Sequence, residues 1–284
     1  MHCGVAVFLT EDAMRPGALA LAVEERGLES LWFTEHSHIP ARRESPWPGG
    51  DELPREYYGL LDPFVSLAFA AEATRSLKLG TGICLVAQRD AIQTAKAVAT
   101  IDVLSGGRFL FGVGGGWNRE EMMNHGTPYE GRWKILRERI EAMKQIWTRD
   151  EASYEGETVS FERIIANPKP LQKPHPPIHV GGAFPGGMKR ALRYGDGWIP
   201  LLGRGDDDVA KHMTAFRRAA EDAGRDPDSL EVSAYACPPN PELVRRCAEA
   251  GVSRMVFRLP TEGSDGVLRF LDRLGDLKDR VRSP

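Results

Sequence analysis

The sequence places a histidine directly after a short apolar segment of the kind that forms a buried strand. The segment is Ser30–Thr34, and Glu35–His38 follows it. Side chains alternate along a strand, so Trp32, Thr34 and His36 point to one face. An imidazole changes its charge near neutral pH, which suits hydrogen bonding or proton transfer at a redox ring. We therefore select His36 as the candidate catalytic residue; a histidine that only ends the strand is the alternative.

Glycines cluster after three further apolar segments. They lie in Gly80–Cys84, in Gly112–Asn118 and in Gly181–Ala183. Glycine allows close approach to the backbone, and helix N-termini bind phosphate, so these clusters indicate a flat cofactor with a phosphate tail. The second cluster is not a dinucleotide-binding motif, because Trp117 stands where that motif needs its last glycine. A tight strand-to-helix turn is the alternative interpretation of this second cluster. Near the third cluster, the charge of Lys189 favours a phosphate site.

Several other side chains near these segments are open to two interpretations. Trp117 could wall a pocket or serve in ordinary packing, and Arg89 could meet an anionic tail or form a solvated surface pair. Cys84 is expected to be buried. His36 and His38 have the spacing of a metal-ligand pair, so a metal-dependent hydrolase is a remote alternative. Four further histidines show no ligand spacing and are assigned to the core or the surface: His125, His175, His179 and His212.

Eight short apolar segments alternate with helical patterns along the chain. This alternation predicts parallel strands with helical crossovers, and eight units in 284 residues favour a (β/α)8 TIM barrel over a doubly wound sheet. We treat residues 1–284 as a single domain with a loop insertion at about 39–59 and a hairpin or loop insertion at about 150–177. The predicted strands are Gly4–Leu9, Ser30–Thr34, Leu77–Val86, Arg108–Val113, Ile178–Gly182, Gly197–Leu201, Leu230–Ala236 and Ser253–Leu259.

The barrel positions the candidate residues at one end. Active sites of such barrels form at the C-terminal ends of the strands, where the glycine clusters fall. If Leu31 and Phe33 face the outer helices, His36 points into the barrel mouth. Two of the later helices are predicted over Asp206–Ala223 and Asp265–Leu274.

Composition excludes several classes of function. The net charge is −3 with a pI near 6.2, so the basic surface of a nucleic-acid-binding protein is absent. No apolar stretch is long enough for a membrane span, and the N-terminus lacks the pattern of a signal peptide. The four cysteines show no C-x-x-C spacing. Free thiols at this density predict a cytoplasmic location.

The ordered set of motifs resembles the bacterial luciferase-like superfamily, and within it the deazaflavin-dependent oxidoreductases of actinobacteria. The motifs are Glu35-His36, residues 79–83, 104–108 and 112–118, and the pair 176–182 and 194–198. The resemblance implies a TIM barrel that binds coenzyme F420, or alternatively FMN, and transfers a hydride to or from a small organic substrate. It also implies a possible homodimer.

The resemblance also assigns roles to individual residues. The acid–histidine pair lies near the redox ring, and the third strand carries a bulge that in relatives often contains a non-prolyl cis peptide bond. The next two glycine clusters line the phosphate. Trp117 stands where the sugar-phosphate dehydrogenase branch has a catalytic Glu, so the substrate of that branch is not expected here. The implied site residues are Glu35, His36, Gly82, Ile83, Gly114, Gly115, Gly116, Trp117, Gly181, Gly182 and Ala183.

Two alternative functions remain beside hydride transfer by a deazaflavin. An FMN-dependent monooxygenase of the same superfamily would use dioxygen and need a flavin reductase as a partner. A non-catalytic cofactor-binding protein would bind without turnover. The loop at about Ile39–Gly59 is expected to cover the site.

Overall fold

Eight parallel strands close into a barrel at the centre of the molecule in a computed structural model of the chain. The structure describes residues 1–202, 208–261 and 263–282. The barrel strands are β1 (His2–Val7), β2 (Ser30–Phe33), β3 (Lys78–Thr81), β4 (Phe109–Val113), β7 (Ile178–Gly181), β8 (Gly197–Ile199), β9 (Glu231–Cys237) and β10 (Arg254–Arg258). Each pairs with the next in this order, and β10 pairs with β1. The TIM-barrel prediction is confirmed.

Helices cover the outside of the barrel. They are α1 (Pro16–Glu25), α2 (Pro63–Ala73), α3 (Ala91–Leu104), α4 (Arg119–Asn124), α5 (Arg132–Thr148), α6 (Gly186–Tyr194), α7 (Val209–Asp222), α8 (Pro241–Glu249) and α9 (Ser264–Arg282). Several begin at a side chain that accepts a backbone N–H: Asp62 from Val65, and Asp90 from Gln93. Within the described ranges, no helix is both long and apolar enough to cross a bilayer.

Two segments depart from the strand–helix alternation. Residues 39–59 are irregular except for a short 3-10 helix at Arg55–Tyr58. Between α5 and β7, β5 (Ala152–Glu155) and β6 (Ser160–Ile164) form an antiparallel hairpin. Both lie within the segments where insertions were expected. That residues 1–284 form one domain stays a prediction.

Alternation along the strands separates two layers of apolar side chains. Leu31 and Phe33 belong to the layer that packs against the helices, whereas Trp32 lies in the small cluster inside the barrel. The expected alternation of β2 is therefore confirmed. The inner cluster is filled by Ala6, Trp32, Leu110, Ile199, Tyr235 and Val256.

A buried polar cluster closes the N-terminal end of the barrel. The guanidinium of Arg254 donates to Glu29, Glu231 and Ser233, each at 2.8 Å, and is fully buried. Burial acts to raise the pKa of Glu29, but the hydrogen bonds and charge of Arg254 lower it to about 2. Burial lowers the pKa of the neighbouring His179 to about 4. These side chains fill the N-terminal end of the barrel interior.

The prediction of one strand over Leu77–Val86 is wrong. β3 ends at Thr81, a cis peptide bond joins Gly82 to Ile83, and a turn of 3-10 helix follows at Val86–Gln88. Residues 84–87 are as deeply buried as the strand itself. Apolar composition alone could not separate a buried loop from a buried strand.

Two helices also differ from their predicted bounds. The start predicted at Asp206 lies outside the described residues, and the helix is described over Val209–Asp222. The helix predicted over Asp265–Leu274 continues through Gly275 to Arg282, because Gly275 does not adopt the positive φ with which a glycine ends a helix.

Candidate active site

His36 lies at the C-terminal end of β2, beneath two aromatic rings. It is 9% exposed, and its ring centroid is 5.2 Å from that of Tyr57 and 5.7 Å from that of Trp117. Its Nδ1 is 2.7 Å from Oε2 of Glu121, while Nε2 has no hydrogen-bond partner among the described residues. The imidazole is therefore held at one nitrogen and available at the other.

Glu121 is a site residue that the sequence analysis did not identify. It is fully buried in the first turn of α4, where Asn118 caps the helix by accepting the N–H of Glu121 at 3.2 Å. Its Oε1 accepts the N–H of Ser37 at 3.0 Å and Nε2 of Gln88 at 2.9 Å. Burial acts to raise the pKa of Glu121, but these hydrogen bonds and that to His36 lower it below its usual value. Only the N-cap spacing after β4 could have signalled this residue.

Glu35 is buried, but it does not share the partner of His36. Its Oε2 accepts the N–H of Leu85 at 2.6 Å, and its Oε1 accepts Nε of Arg89 at 2.5 Å. Arg89 also pairs with Asp62 at 3.1 Å. Arg89 is therefore not a solvated surface pair: it forms a partly buried pair that ties the end of β2 to the start of α3.

Gly82 and Ile83, where the bulge was predicted, directly follow the end of β3 at Thr81. Their peptide bond is cis, as the resemblance implied. The hydroxyl of Tyr235 donates a hydrogen bond to the carbonyl oxygen of Gly82 at 2.6 Å. A Cβ on Gly82 would lie 2.3 Å from the hydroxyl oxygen of Tyr235, so only glycine fits at this position. Cys84 is fully buried, and burial raises the pKa of its thiol, so it is a packing residue.

Ile83 brings the predicted glycine clusters together. A Cβ on Gly114 would lie 1.8 Å from Cδ1 of Ile83, and one on Gly181 would lie 3.3 Å from its Cγ2. A Cβ on Gly116, which has a φ of +67°, would lie 2.6 Å from Met122. The ends of β3, β4 and β7 therefore meet as a glycine rim, which we define as Gly114–Gly116 and Gly181–Gly182.

Two arginines lie behind the glycine rim. Arg190 stacks on the ring of Trp133 at 3.6 Å, and Arg132 lies 5.0 Å from the same ring. A Cβ on Gly115 would lie 2.6 Å from Trp133, and one on Gly182 would lie 2.9 Å from Arg190. Nε of each arginine is buried without a hydrogen-bond partner among the described residues.

The cation beside Gly182 is thus Arg190 and not Lys189, whose side chain is exposed. Ala183, the last residue of the predicted third cluster, is also exposed, and its carbonyl accepts the N–H of Gly187 at 2.7 Å at the start of α6.

The loop 39–59 covers the site. Trp47 donates Nε1 to the hydroxyl of Tyr57 at 3.1 Å, and Arg43 lies 5.5 Å above the ring of Trp117. Oε1 of Glu120 accepts the N–H groups of Glu44 and Ser45 at 3.0 and 3.1 Å. The loop is therefore attached to α4, and the half-buried Trp117 walls the space beside His36.

Two histidines adjoin the site: His38 is half-buried and His125 is exposed. Oγ of Ser37 lies 2.9 Å from Nδ1 of His38 and 2.7 Å from Nε2 of His125. His125 is exposed, in agreement with its assignment from sequence, and is also a neighbour of the site. Over residues 1–202, 208–261 and 263–282, no group of three or more His, Cys, Asp or Glu side chains could hold a metal ion.

A cavity of about 810 Å³ opens at the same end of the barrel, beside the ends of β9 and β10. Its walls are mostly apolar, with Arg246 and Arg258 among them. Arg258 pairs with Glu56 of the covering loop at 2.6 Å. Neither His36 nor any residue of the glycine rim is among the residues that line it, so the cavity lies beside the candidate site and not over it.

Fold and site together define a TIM-barrel protein with a histidine, a glycine rim and two arginines at the C-terminal end of its barrel. Residues 10–248 match the family of luciferase-like monooxygenases, and the chain belongs to this family. Its class is accordingly that of the luciferase-like oxidoreductases, which was predicted from the motifs.

Similar proteins in this family differ in cofactor. An uncharacterised protein of Mycobacterium tuberculosis is 37% identical over 96% of this chain and 97% of its own length. An F420-dependent hydroxymycolic acid dehydrogenase of the same organism is 30% identical over 80% of this chain, which spans 60% of that relative. The oxygenase component of a flavin-dependent trigonelline monooxygenase from Acinetobacter baylyi is 33% identical over 72% of this chain and 52% of its own length.

Solved structures share the fold at low sequence identity. An F420-dependent secondary alcohol dehydrogenase superimposes with a TM-score of 0.77 at 18% identity, over 100% of both chains. A monooxygenase from Streptomyces bottropensis gives 0.77 at 20% identity, over 97% of this chain and 98% of that one.

Proposed function

We propose that the protein is an oxidoreductase that transfers a hydride between coenzyme F420 and a small organic substrate. The observation that carries the proposal is the available Nε2 of His36 at the barrel mouth, with Glu121 bound to the other ring nitrogen. F420-dependent dehydrogenases among its relatives support the choice of cofactor.

The residues at the rim fit a cofactor with an anionic tail. The unpartnered Nε–H groups of Arg132 and Arg190 are donors that a phosphate could satisfy, and the adjoining glycines leave the backbone open to it. In this proposal the glycine rim and Ala183 hold the phosphate, while Gly82, Ile83 and Glu35 support the region of the ring. A bound deazaflavin would supply the acceptor or donor of the hydride.

His36 would handle the proton that accompanies the hydride. Its Nε2 accepts the proton of a substrate hydroxyl during oxidation and returns it during reduction. The flanking rings of Tyr57 and Trp117 restrict how a substrate can lie beside this nitrogen.

Side-by-side titration with F420 and with FMN tests this proposal. We expect quenching of deazaflavin fluorescence at micromolar protein, and F420-dependent turnover of a secondary alcohol or its ketone. His36→Asn should retain the quenching but lower kcat by about 100-fold or more, because the proton acceptor is lost. Binding of FMN alone, or full activity in His36→Asn, would contradict the proposal.

The second candidate is an FMN-dependent monooxygenase. It is favoured by the trigonelline monooxygenase relative, whose name describes an oxygenase component. Such a protein would need a flavin reductase as partner and would consume dioxygen with reduced FMN. Oxygen uptake that depends on an added reductase would support it over hydride transfer.

We further propose a cytoplasmic enzyme, since all four cysteines are buried and none is joined in a disulfide, as suits a reducing compartment. Assembly as a homodimer stays a proposal that rests on the resemblance.

A further inference from the structure

We infer that Glu121 is a positioning residue that fixes the tautomer of His36 and so makes Nε2 the proton-accepting atom of the site. The inference rests on the proposed function, because it assigns how His36 would carry out its proton transfer. It concerns a contact between segments 85 residues apart in the chain.

The chemistry of the two side chains dictates where the proton lies. An ionised carboxylate can only accept hydrogen bonds. Since Oε2 of Glu121 lies 2.7 Å from Nδ1 of His36, Nδ1 must carry the hydrogen. A neutral imidazole with Nδ1–H has a bare lone pair on Nε2, the atom without a partner among the described residues.

The other carboxylate oxygen is locked by three donors. Oε1 of Glu121 accepts the N–H of Ser37 at 3.0 Å, Nε2 of Gln88 at 2.9 Å and Oγ of Ser37 at 3.3 Å. The carboxylate is fully buried, so it cannot exchange these partners for water. Each oxygen therefore has a defined role, and the carboxylate has no freedom to rotate.

Other charged or titratable groups approach His36 less directly. From the covering loop, the ring of Tyr57 packs against the imidazole at a tilt of 49°, and Arg43 lies above Trp117. His38 and His125 hydrogen-bond to Ser37, which in turn bonds to Glu121, so they are connected to the His36 ring only through these two residues. Glu35, next in the chain, is occupied by Arg89. Glu121 is thus the only ionised group in the described part of the chain that binds the ring of His36.

The arrangement supports a balanced oxidation step. A bound deazaflavin would accept the hydride of a carbinol carbon. The hydroxyl proton would then move to Nε2 of His36 as the carbonyl double bond forms. The imidazolium that results is paired with the carboxylate of Glu121, so the buried charge is compensated. In the reverse direction the same imidazolium returns the proton.

Glu121→Gln is the decisive variant. The three donors at Oε1 require the amide oxygen there, which turns the amide NH2 toward Nδ1 of His36. Nδ1 then becomes an acceptor, and the hydrogen moves to Nε2. Glu120→Gln makes the same charge change one residue away, and the carboxylate it replaces bonds to the covering loop and not to His36.

The tautomer is measured by long-range 15N–1H NMR on histidine-labelled protein without cofactor or substrate. The His36 signals are identified by their loss in His36→Asn. We expect Nδ1–H in the unmodified protein and in Glu120→Gln, and Nε2–H in Glu121→Gln. Glu121→Asp keeps an acceptor-only group and should keep Nδ1–H, which covers the case in which Glu121→Gln fails to fold.

Turnover gives the second readout. Glu121→Gln should lower kcat by about 100-fold or more, with little change in KM. Glu121→Asp should recover part of kcat. An Nε2–H tautomer in the unmodified protein, or Nδ1–H retained in a folded Glu121→Gln, would overturn the inference. The tautomer is read without cofactor, so a failure of F420 turnover alone would refute the proposed function and not the role of Glu121.

Discussion

At the scale of single residues, Tyr235 connects opposite sides of the barrel. Its hydroxyl reaches the carbonyl of Gly82, which is 153 residues away in sequence. Because the phenol is buried, no water can replace it there. The hydrogen bond thus holds the rim loop after β3 in position from inside the barrel.

We expect Tyr235→Phe to lower the free energy of unfolding by about 1–3 kcal/mol, because the buried carbonyl of Gly82 loses its donor. Urea denaturation measures the change. Tyr58→Phe is the matched control, since Tyr58 is 64% exposed and should shift the midpoint little. Equal stability of the two variants would show that the hydrogen bond contributes nothing.

The sequence located some residues of the site and not others, for a physical reason. His36 and the glycines were found because strand alternation and glycine spacing are local properties of the chain. Glu121, Gln88, Tyr57 and Tyr235 were not found, since each acts through a contact with a distant segment.

At the scale of elements, α5 and α6 place their first turns together behind the glycine rim. Trp133 of α5 lies between Arg132, its neighbour on the same helix, and Arg190 of α6. The two cations share one aromatic ring while each keeps an unpartnered Nε–H. This convergence makes the pair of helices a candidate site for the anionic tail of a cofactor.

Arg190→Ala should raise the Kd for F420 by about 10-fold or more, through loss of a charge-assisted hydrogen bond. The neighbouring Lys189→Ala removes the same charge from an exposed position and should leave the Kd nearly unchanged. Fluorescence titration compares the two. Equal effects would mean that general surface charge, and not the position of Arg190, attracts the cofactor.

At the scale of the whole molecule, the polar cluster at the bottom of the barrel links stability to pH. His179 is fully buried, and burial lowers its pKa to about 4. The unfolded chain, where the pKa is about 6.5, binds more protons between these values. The free energy of unfolding must therefore fall as the pH falls through this range.

From about pH 7.5 to about pH 5, His179 should account for a loss of about 2 kcal/mol of stability. His179→Gln should remove that part of the loss, which denaturation at both pH values measures. The lowered pKa of His175 reduces the free energy of unfolding in both the unmodified protein and His179→Gln over the same pH range. The test is therefore the difference in stability between the two proteins at each pH. A difference that does not change with pH would refute the assignment to His179.

The sequence by itself determined the number and order of the barrel strands, the face to which His36 points, and the end of the barrel that carries the glycines. These follow from periodicity and backbone freedom, which are properties of short segments. The tertiary structure decided that Glu121 orients His36, that Arg190 adjoins the rim, and that β3 ends at Thr81. Such pairings depend on how distant segments meet in space, which the pattern of any one segment does not contain.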